Sequence, residues 1–395
     1  MNTFAAVMTG KGVGAIAAIQ IFGESAQKIL RKVFTPVGKG PAKFKRGQVL
    51  LGTIVDSTET IDQVAIGCEG KNTYTINCHG NPLIVADIMR LLGREGVTLL
   101  DAEELLAKVL TARKGVTAIE IEAKLAQLKA KTLAGAKIIA NQVRAGLNKR
   151  ASQWLEGIKA VSLGEIKSQA REILERSQTA KLIIYGCTAV IAGPPNSGKS
   201  TLLNCLAGRQ KAIVTDIKGT TRDWVSARCR IGRVSVELID TAGLDEELGT
   251  KADAIKKASQ EKTVELLEEA DLVLLVLDSS QTAEQLEGRL IERITGKKVL
   301  TVLNKLDLPS QFDSGQLPEC LSETVQISAK LGIGIDELIE KMQQLLGVAD
   351  FDLGNSVCFT IRQQKLLEQL KNAESKTQVI TIIKNLCTKP KQAGN

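Results

Sequence analysis

The rhythm of apolar and polar positions changes three times along the chain. Up to about residue 110, short apolar runs alternate with glycine-rich turns: "GAIAAIQIFG", "GQVLLGTIVD", "IDQVAIGCEG" and "TYTINCH". Runs of this length bounded by turn formers predict strands. "GNPLIVADIMRLLGREG" then shifts to three- and four-residue spacing and ends on glycine, which predicts a helix and its stop. An N-terminal α+β domain is expected over 1–110.

The second pattern is helical. "AIEIEAKLAQLKAKTLAGAKIIANQVRAGLNKRASQWLEGIKAV" and "LGEIKSQAREILERSQTAKL" carry one-sided apolar stripes and no proline. The tail, "CFTIRQQKLLEQLKNAESKTQVITIIKNL", has the same character. Short amphipathic helices need a partner for their apolar face. The two stretches, 111–181 and 349–395, are therefore read as parts of one helical domain.

Between them, over 182–348, strands and helices alternate. "LIIYGCTAVIAG", "DLVLLVLD" and "KVLTVLNKLD" read as strands, the last two as buried parallel ones. "RCRIGRVSVELID" predicts a hairpin turning near Gly232. "KSTLLNCLAG", "KADAIKKASQEKTVELLEEA" and "GIDELIEKMQQLLG" predict helices. This order implies a doubly wound α/β domain inserted in the helical one, with ligands at the carboxyl ends of its strands.

Composition narrows the picture modestly. At 395 residues the chain has room for two or three domains. Aromatics make up 3%, so the cores rest on Leu, Ile, Val and Ala. The net charge of +8 is compatible with a nucleic-acid partner, though solubility alone accounts for it. The eight cysteines form no C-x-x-C pair and there is one histidine, so zinc-ligand spacing is absent. No signal peptide and no bilayer-length apolar run is seen, and reduced thiols in a cytoplasmic protein are expected.

The candidate chemistry lies in the inserted domain. Gly193-x-x-x-x-Gly198-Lys199-Ser200 follows a strand and opens a helix, the context of a phosphate-binding loop. Its glycines free backbone N–H groups for phosphate, Lys199 suits the β- and γ-phosphates, and Ser200 suits Mg²⁺. Asn196, Ser197 and Thr201 complete the loop and the helix start. Asp240-Thr241-Ala242-Gly243 ends a strand; its Asp suits water-mediated Mg²⁺ binding and its Gly the γ-phosphate. Asn304-Lys305-Leu306-Asp307 ends another, and the Asp307 carboxylate can accept from both N1–H and the 2-amino group of guanine. Adenine offers neither donor, so this is a strong discriminator. Ser328-Ala329-Lys330 can supply backbone contacts to the guanine oxygen. In this order the motifs specify GTP.

With "GTTRD" (Gly219 to Asp223), "DTAGL" and Asn196, the domain resembles the translation-factor-related GTPases. The whole plan resembles the MnmE (TrmE) family of tRNA uridine-modification GTPases, with "INCHGNP" similar to the family's HGGP-type segment and "GVGAIAAIQIFG" to its opening strand. The resemblance implies K⁺-assisted GTP hydrolysis, dimerisation through the N-terminal domain and a formyl-tetrahydrofolate site there. It also implies joint action with a flavin-dependent partner on the wobble uridine of tRNA. It carries Asn196, Thr215, Ile217 and Thr220 over as K⁺ ligands, with Asp216, Lys218 and Gly219 in the same loop. Thr220 and Thr221 are carried over for γ-phosphate and Mg²⁺, and Thr221 also as a catalytic residue.

The chain departs from that family in four places. Cys387 is followed by Thr388-Lys389 where the family has C-x-G-K, and the C-terminal helical segment reads as shortened. No PGEFT or FLNGK segment follows "EGVTLLDAEELL", and Gly10 to Gly14 only approximates the Gly-Arg-Gly-Gly stretch. The family's catalytic Glu aligns with Lys256, leaving Glu246 and Glu247 as the carboxylates that could position water. Slow hydrolysis is expected. Two functional classes stay open: a GTPase driving tRNA modification, and a GTP-dependent switch or scaffold that no longer supports it. Other residues have plainer readings. His79 reads as a turn residue with no carboxylate partner evident, Trp154 and Trp224 as packing residues, "AKFKRG" as a solvated loop, and Cys387 as either an incidental or a reactive thiol.

Overall fold

A computed structural model describes residues 2–389 apart from 11, 39, 41, 71, 210–225, 241–264 and 287. The chain divides into two compact units, Met1–Ile121 and Glu122–Asn395.

The first unit is built on a seven-stranded sheet. Its strands are β1 (Thr3–Val7), β2 (Ile16–Phe22), β3 (Phe34–Pro36), β4 (Val49–Asp56), β5 (Glu59–Gly70), β6 (Thr73–His79) and β7 (Val97–Leu99), ordered β3-β4-β5-β6-β2-β1-β7. All pairings are antiparallel except β1 with β7. Period-two alternation puts Ile19, Ile21, Ile54, Ile66 and Ile76 on one face, where helices α1 (Ala26–Val33) and α2 (Pro82–Arg94) bury them with Leu30, Ile88 and Leu92. The start of helix α2 is fixed locally: Asn81 accepts from Leu83 N, and Pro82 occupies a first-turn position that needs no N–H. Helix α3 (Ala102–Ala112) opens with an Asp101/Glu104 capping box, and its Leu105 and Val109 pack on Ala6.

In the second unit the helical run divides into α4 (Ala118–Gln127), which begins in the first unit, α5 (Leu133–Arg144), α6 (Leu147–Glu156) and α7 (Leu163–Tyr185). Thr132 caps α5 through Gly135 N. The buried Gln142 amide serves two chain breaks at once: its Oε1 accepts from Leu147 N and Val357 N, and its Nε2 donates to Asn355 O. The tail folds as helices Ile361–Lys371 and Lys376–Cys387, parted by the Ser375 cap. It returns to α7 through Tyr185 Oη to Phe359 O (2.7 Å) and Cys358 N to Ser177 Oγ (2.8 Å). The helical segments on either side of the inserted domain thus share one core. Trp154 is buried in it, its indole N–H on Gln169 Oε1, as a packing residue.

One expectation fails. Leu182–Tyr185, read as the start of a strand, is the last turn of α7. Gly186 ends the helix at φ +81°, its N–H on Leu182 O, and a side chain there would meet Ser235 O at 2.6 Å. Apolar runs of this length do not by themselves separate strand from buried helix.

The inserted domain holds β8 (Cys187–Ala192), helix α8 (Lys199–Arg209), β9 (Ser226–Ile231), β10 (Val234–Asp240), β11 (Leu272–Asp278), β12 (Val299–Asn304) and β13 (Thr324–Gln326). The sheet order is β13-β12-β11-β8-β10-β9, parallel except for the β9–β10 hairpin, which turns at Gly232. Every residue of β11 and β12 is buried, as for strands covered on both faces. "KADAIKKASQEKTVELLEEA" lies outside the described residues up to 264, and its end is helical. β8 lies between β10 and β11, so the chain crosses to either side of its carboxyl end, the switch point where such sheets bind ligands.

Candidate nucleotide-binding site

The loop 193–200 sits at that switch point. Gly193 has φ +143°, and a Cβ on it would fall 2.1 Å from Val276 O of β11. Gly198 has φ +95°, and its Cβ would fall 2.3 Å from Asn304 Nδ2. Only glycine fits either place, and the loop is drawn tight against β11 and β12. Asn196 takes a left-handed φ of +61°, which asparagine tolerates. Helix α8 begins at Lys199, and its first-turn N–H groups favour an anion. The buried Lys199 ammonium donates to Gly193 O (2.9 Å) and Pro194 O (3.0 Å), folded over its own loop. Ser200 Oγ donates to Asp240 Oδ2 at 2.6 Å, and Asp240 is the buried last residue of β10. A hydroxyl and a carboxylate so placed are hard oxygen donors of the type Mg²⁺ takes. Thr201 follows in α8.

On the base side, Asn304 ends β12 fully buried. Its Nδ2 donates to Ser197 O (2.9 Å) and its Oδ1 accepts from Ala329 N (3.0 Å). One side chain therefore ties the phosphate loop to the 328–330 turn. Lys305 takes φ +69°, and its ammonium meets Asp278 Oδ2 at 2.6 Å. The exposed Asp307 accepts from Ser328 Oγ (2.6 Å), and this hydrogen bond holds its carboxyl below the usual carboxylate range. Ser328 itself is buried and pairs with Ile333 through both backbone groups. Lys330 lies exposed just beyond.

Sequence motifs far apart along the chain thus meet: 193–201, Asp240, Asn304, Lys305, Asp307 and 328–330 lie at the carboxyl ends of β8, β10, β12 and β13. Thr215, Asp216, Ile217, Lys218, Gly219, Thr220, Thr221, Thr241, Ala242, Gly243, Glu246 and Glu247 lie outside the described residues, as do Arg222, Trp224, Leu244 and Lys256. The bridging role of Asn304 and the Asp278 anchor were not read from sequence. Strand register brings them together: β11 and β12 end side by side, with Asp278 paired to Asn304.

His79 has a partner after all. Its Nδ1 lies 2.7 Å from Asp62 Oδ1, and its backbone N–H donates to Asp62 Oδ2 at 2.8 Å. Asp62 is buried on the neighbouring β5, seventeen positions back, beyond the reach of local pattern. The exposed imidazole lines a cavity of about 440 Å³ with Ile16, Thr53, Gln63 and Asn77. The "AKFKRG" lysines and arginine are exposed, while Phe44 stacks edge-on to Tyr74. All eight cysteines are free thiols. Cys387 is half-buried, and burial pushes its thiol up while Arg362 pulls it down. Among the described residues no cluster of three His, Cys, Asp or Glu could hold a metal, and no helix is long and apolar enough to cross a membrane.

Comparison with known proteins now adds identity to geometry. The family described as "GTP-binding protein TrmE N-terminus" matches residues 3–108, and that described as "50S ribosome-binding GTPase" matches 188–305. The tRNA modification GTPase MnmE of Alkaliphilus metalliredigens (strain QYMF) is 30% identical over 421 residues, 97% of this chain and 90% of that protein. The chain belongs to the MnmE family. MnmE of Clostridioides difficile (strain 630) is 28% identical over 92% of this chain and 86% of its own. Among solved structures, the G domain of the T. maritima FeoB iron transporter is 29% identical over 40% of this chain and 98% of its own, with a TM-score of 0.31. The MnmE-family match in the first unit coincides with the seven-stranded sheet and α3, and the GTPase match runs from β8 to Lys305.

Proposed function

We propose that this MnmE-family protein binds and hydrolyses GTP and acts in tRNA modification. The observation that carries the nucleotide reading is the Asn304 bridge between Ser197 O and Ala329 N, which couples a phosphate loop to a guanine-reading turn. Lys199 neutralises the β- and γ-phosphates, and Asp307 accepts from the guanine edge. Ser200 and Thr221 would hold Mg²⁺, with Asp240, which accepts from Ser200 Oγ, as a further oxygen donor, and the ion would supply charge neutralisation on the phosphates. Asn196 with Thr215, Ile217 and Thr220 holds K⁺, and Glu246 or Glu247 orients the attacking water. The N-terminal unit takes a formyl-tetrahydrofolate, for which the cavity beside His79 is of suitable size, and pairs with a second copy. The protein works in the cytoplasm on tRNA with a flavin-dependent partner.

A second reading, a GTP-dependent switch or scaffold, is favoured by one observation: Thr388-Lys389 follows the half-buried Cys387 in place of C-x-G-K. Nucleoside analysis of tRNA from a strain lacking the gene separates the two. Loss of wobble-uridine modification, restored by the wild-type gene and not by Lys199→Ala, supports the first. Unchanged modification rejects it in favour of the switch.

A further inference from the structure

We infer that Asp278 is a positioning residue for guanine recognition, acting through Lys305; the inference rests on the guanine-nucleotide reading of the site above. Asp278 ends β11 beside Asn304, in register with it across the parallel pair. It is almost fully buried, and both carboxylate oxygens are engaged. Oδ2 meets Lys305 Nζ at 2.6 Å; Oδ1 accepts from Ser280 N (2.9 Å) and Ser280 Oγ (2.6 Å). Its backbone is clamped as well, with N donating to Gln285 Oε1 and O accepting from Gln285 Nε2, both at 2.9 Å. Neither Ser280 nor Gln285 belongs to a nucleotide motif. Burial by itself would push the Asp278 carboxyl up, but the Lys305 and Ser280 hydrogen bonds prevail and hold it below the usual range.

Lys305 is the movable member. Its side chain is 30% exposed, and its backbone holds φ +69°, a conformation that an L-residue keeps only when surrounding contacts impose it. That left-handed step separates two tasks. Before it, Asn304 faces Ser197 and Ala329; two residues after it, Asp307 faces Ser328. If Lys305 relaxed to a right-handed φ, the chain would leave the turn and Asp307 would leave Ser328. A fixed, buried anion gripping the Lys305 ammonium opposes that relaxation. Moving the Lys305 ammonium away would leave Asp278 an uncompensated buried charge, which favours the observed arrangement.

The test is a double-mutant cycle on the full chain, read by affinity for fluorescent GDP and by the GDP-to-IDP preference, since IDP lacks the 2-amino group that Asp307 reads. Asp278→Asn and Lys305→Met should each weaken GDP about tenfold and lower the GDP-to-IDP ratio. The double variant should bind no worse than Lys305→Met alone, because both changes cut one link. Steady-state GTPase assays of Asp278→Asn should show its effect mainly in KM rather than in kcat. Full additivity, or GDP affinity and base preference unaltered in Asp278→Asn, would overturn the inference. Should Asp278→Asn not fold, Ser280→Ala, which loosens the carboxylate and leaves its charge, carries the test. It should raise KM and lower the base preference, and wild-type values in Ser280→Ala would equally overturn it. Asp307→Asn separates this from the site reading: undiminished guanine preference there rejects the guanine site itself, whereas its loss alongside a normal Asp278→Asn rejects only the positioning role.

Discussion

Replacing Asp307 by Asn should convert a guanine reader into a xanthine reader, and the structure says which way the new amide faces. Ser328 Oγ accepts from Leu331 N at 3.2 Å, so its own proton goes to Asp307 Oδ1. In the variant the amide oxygen takes that place, and the NH₂ group turns toward the base. It then meets the N1–H and 2-amino donors of guanine as donor against donor. Two hydrogen bonds to a charged acceptor are lost, so GDP affinity should fall by roughly two orders of magnitude. Xanthine carries a carbonyl at position 2, so the same NH₂ group finds an acceptor and XDP should gain on GDP. Competition of GDP and XDP against a fluorescent guanine nucleotide, on wild type and variant at one pH, reads both numbers. A GDP affinity within threefold of wild type, or no gain for XDP, would refute the assignment of Asp307 and the orientation argued from Ser328.

Gly198→Ala forces a side chain into φ +95° and to 2.3 Å from Asn304 Nδ2, so GDP affinity should fall by about tenfold or more and the strain should cost about 1–3 kcal/mol; titration calorimetry and urea unfolding check both. Hydrolysis should run markedly faster in KCl than in NaCl at equal ionic strength, and Asn196→Ala should remove most of the difference; equal phosphate release in both salts would exclude the K⁺ cage. Burial pushes Cys187 up to about 12 and Cys229 to about 11, whereas Cys320 is exposed. A disulfide reagent at pH 8 should therefore modify one thiol fast, and Cys320→Ser should abolish that phase. The Asp278 carboxyl lies below its unfolded value, so the stability from its ionisation is complete above about pH 4 and lost as pH falls through the lowered value. The melting temperatures of wild type and Asp278→Asn should accordingly differ by a constant amount from pH 8 to 5 and draw together only in stronger acid.

Much of this protein is legible in its sequence because much of it is local. Alternation along "TYTINCH" and "IDQVAIGCEG" and the continuous apolar runs "LVLLVLD" and "VLTVLN" each act within a few residues, and the corresponding elements form where the pattern puts them. The phosphate loop is legible for the same reason: Gly193 and Gly198 answer to backbone angles and close approach within one turn. Tertiary structure decided what local pattern cannot carry. Leu182–Tyr185 has the composition of a strand and is helical because Ile183 and Ile184 are buried in the helical core and Gly186 breaks the chain against Ser235. Asp62 meets His79, Asp278 meets Lys305, and Asn304 meets both Ser197 and Ala329 across separations of 17, 27, 107 and 25 residues. No period in the sequence encodes such pairs. They exist because sheet register lays strand ends side by side, and because a polar side chain buried there must find a hydrogen-bond partner among whatever the neighbouring strands present.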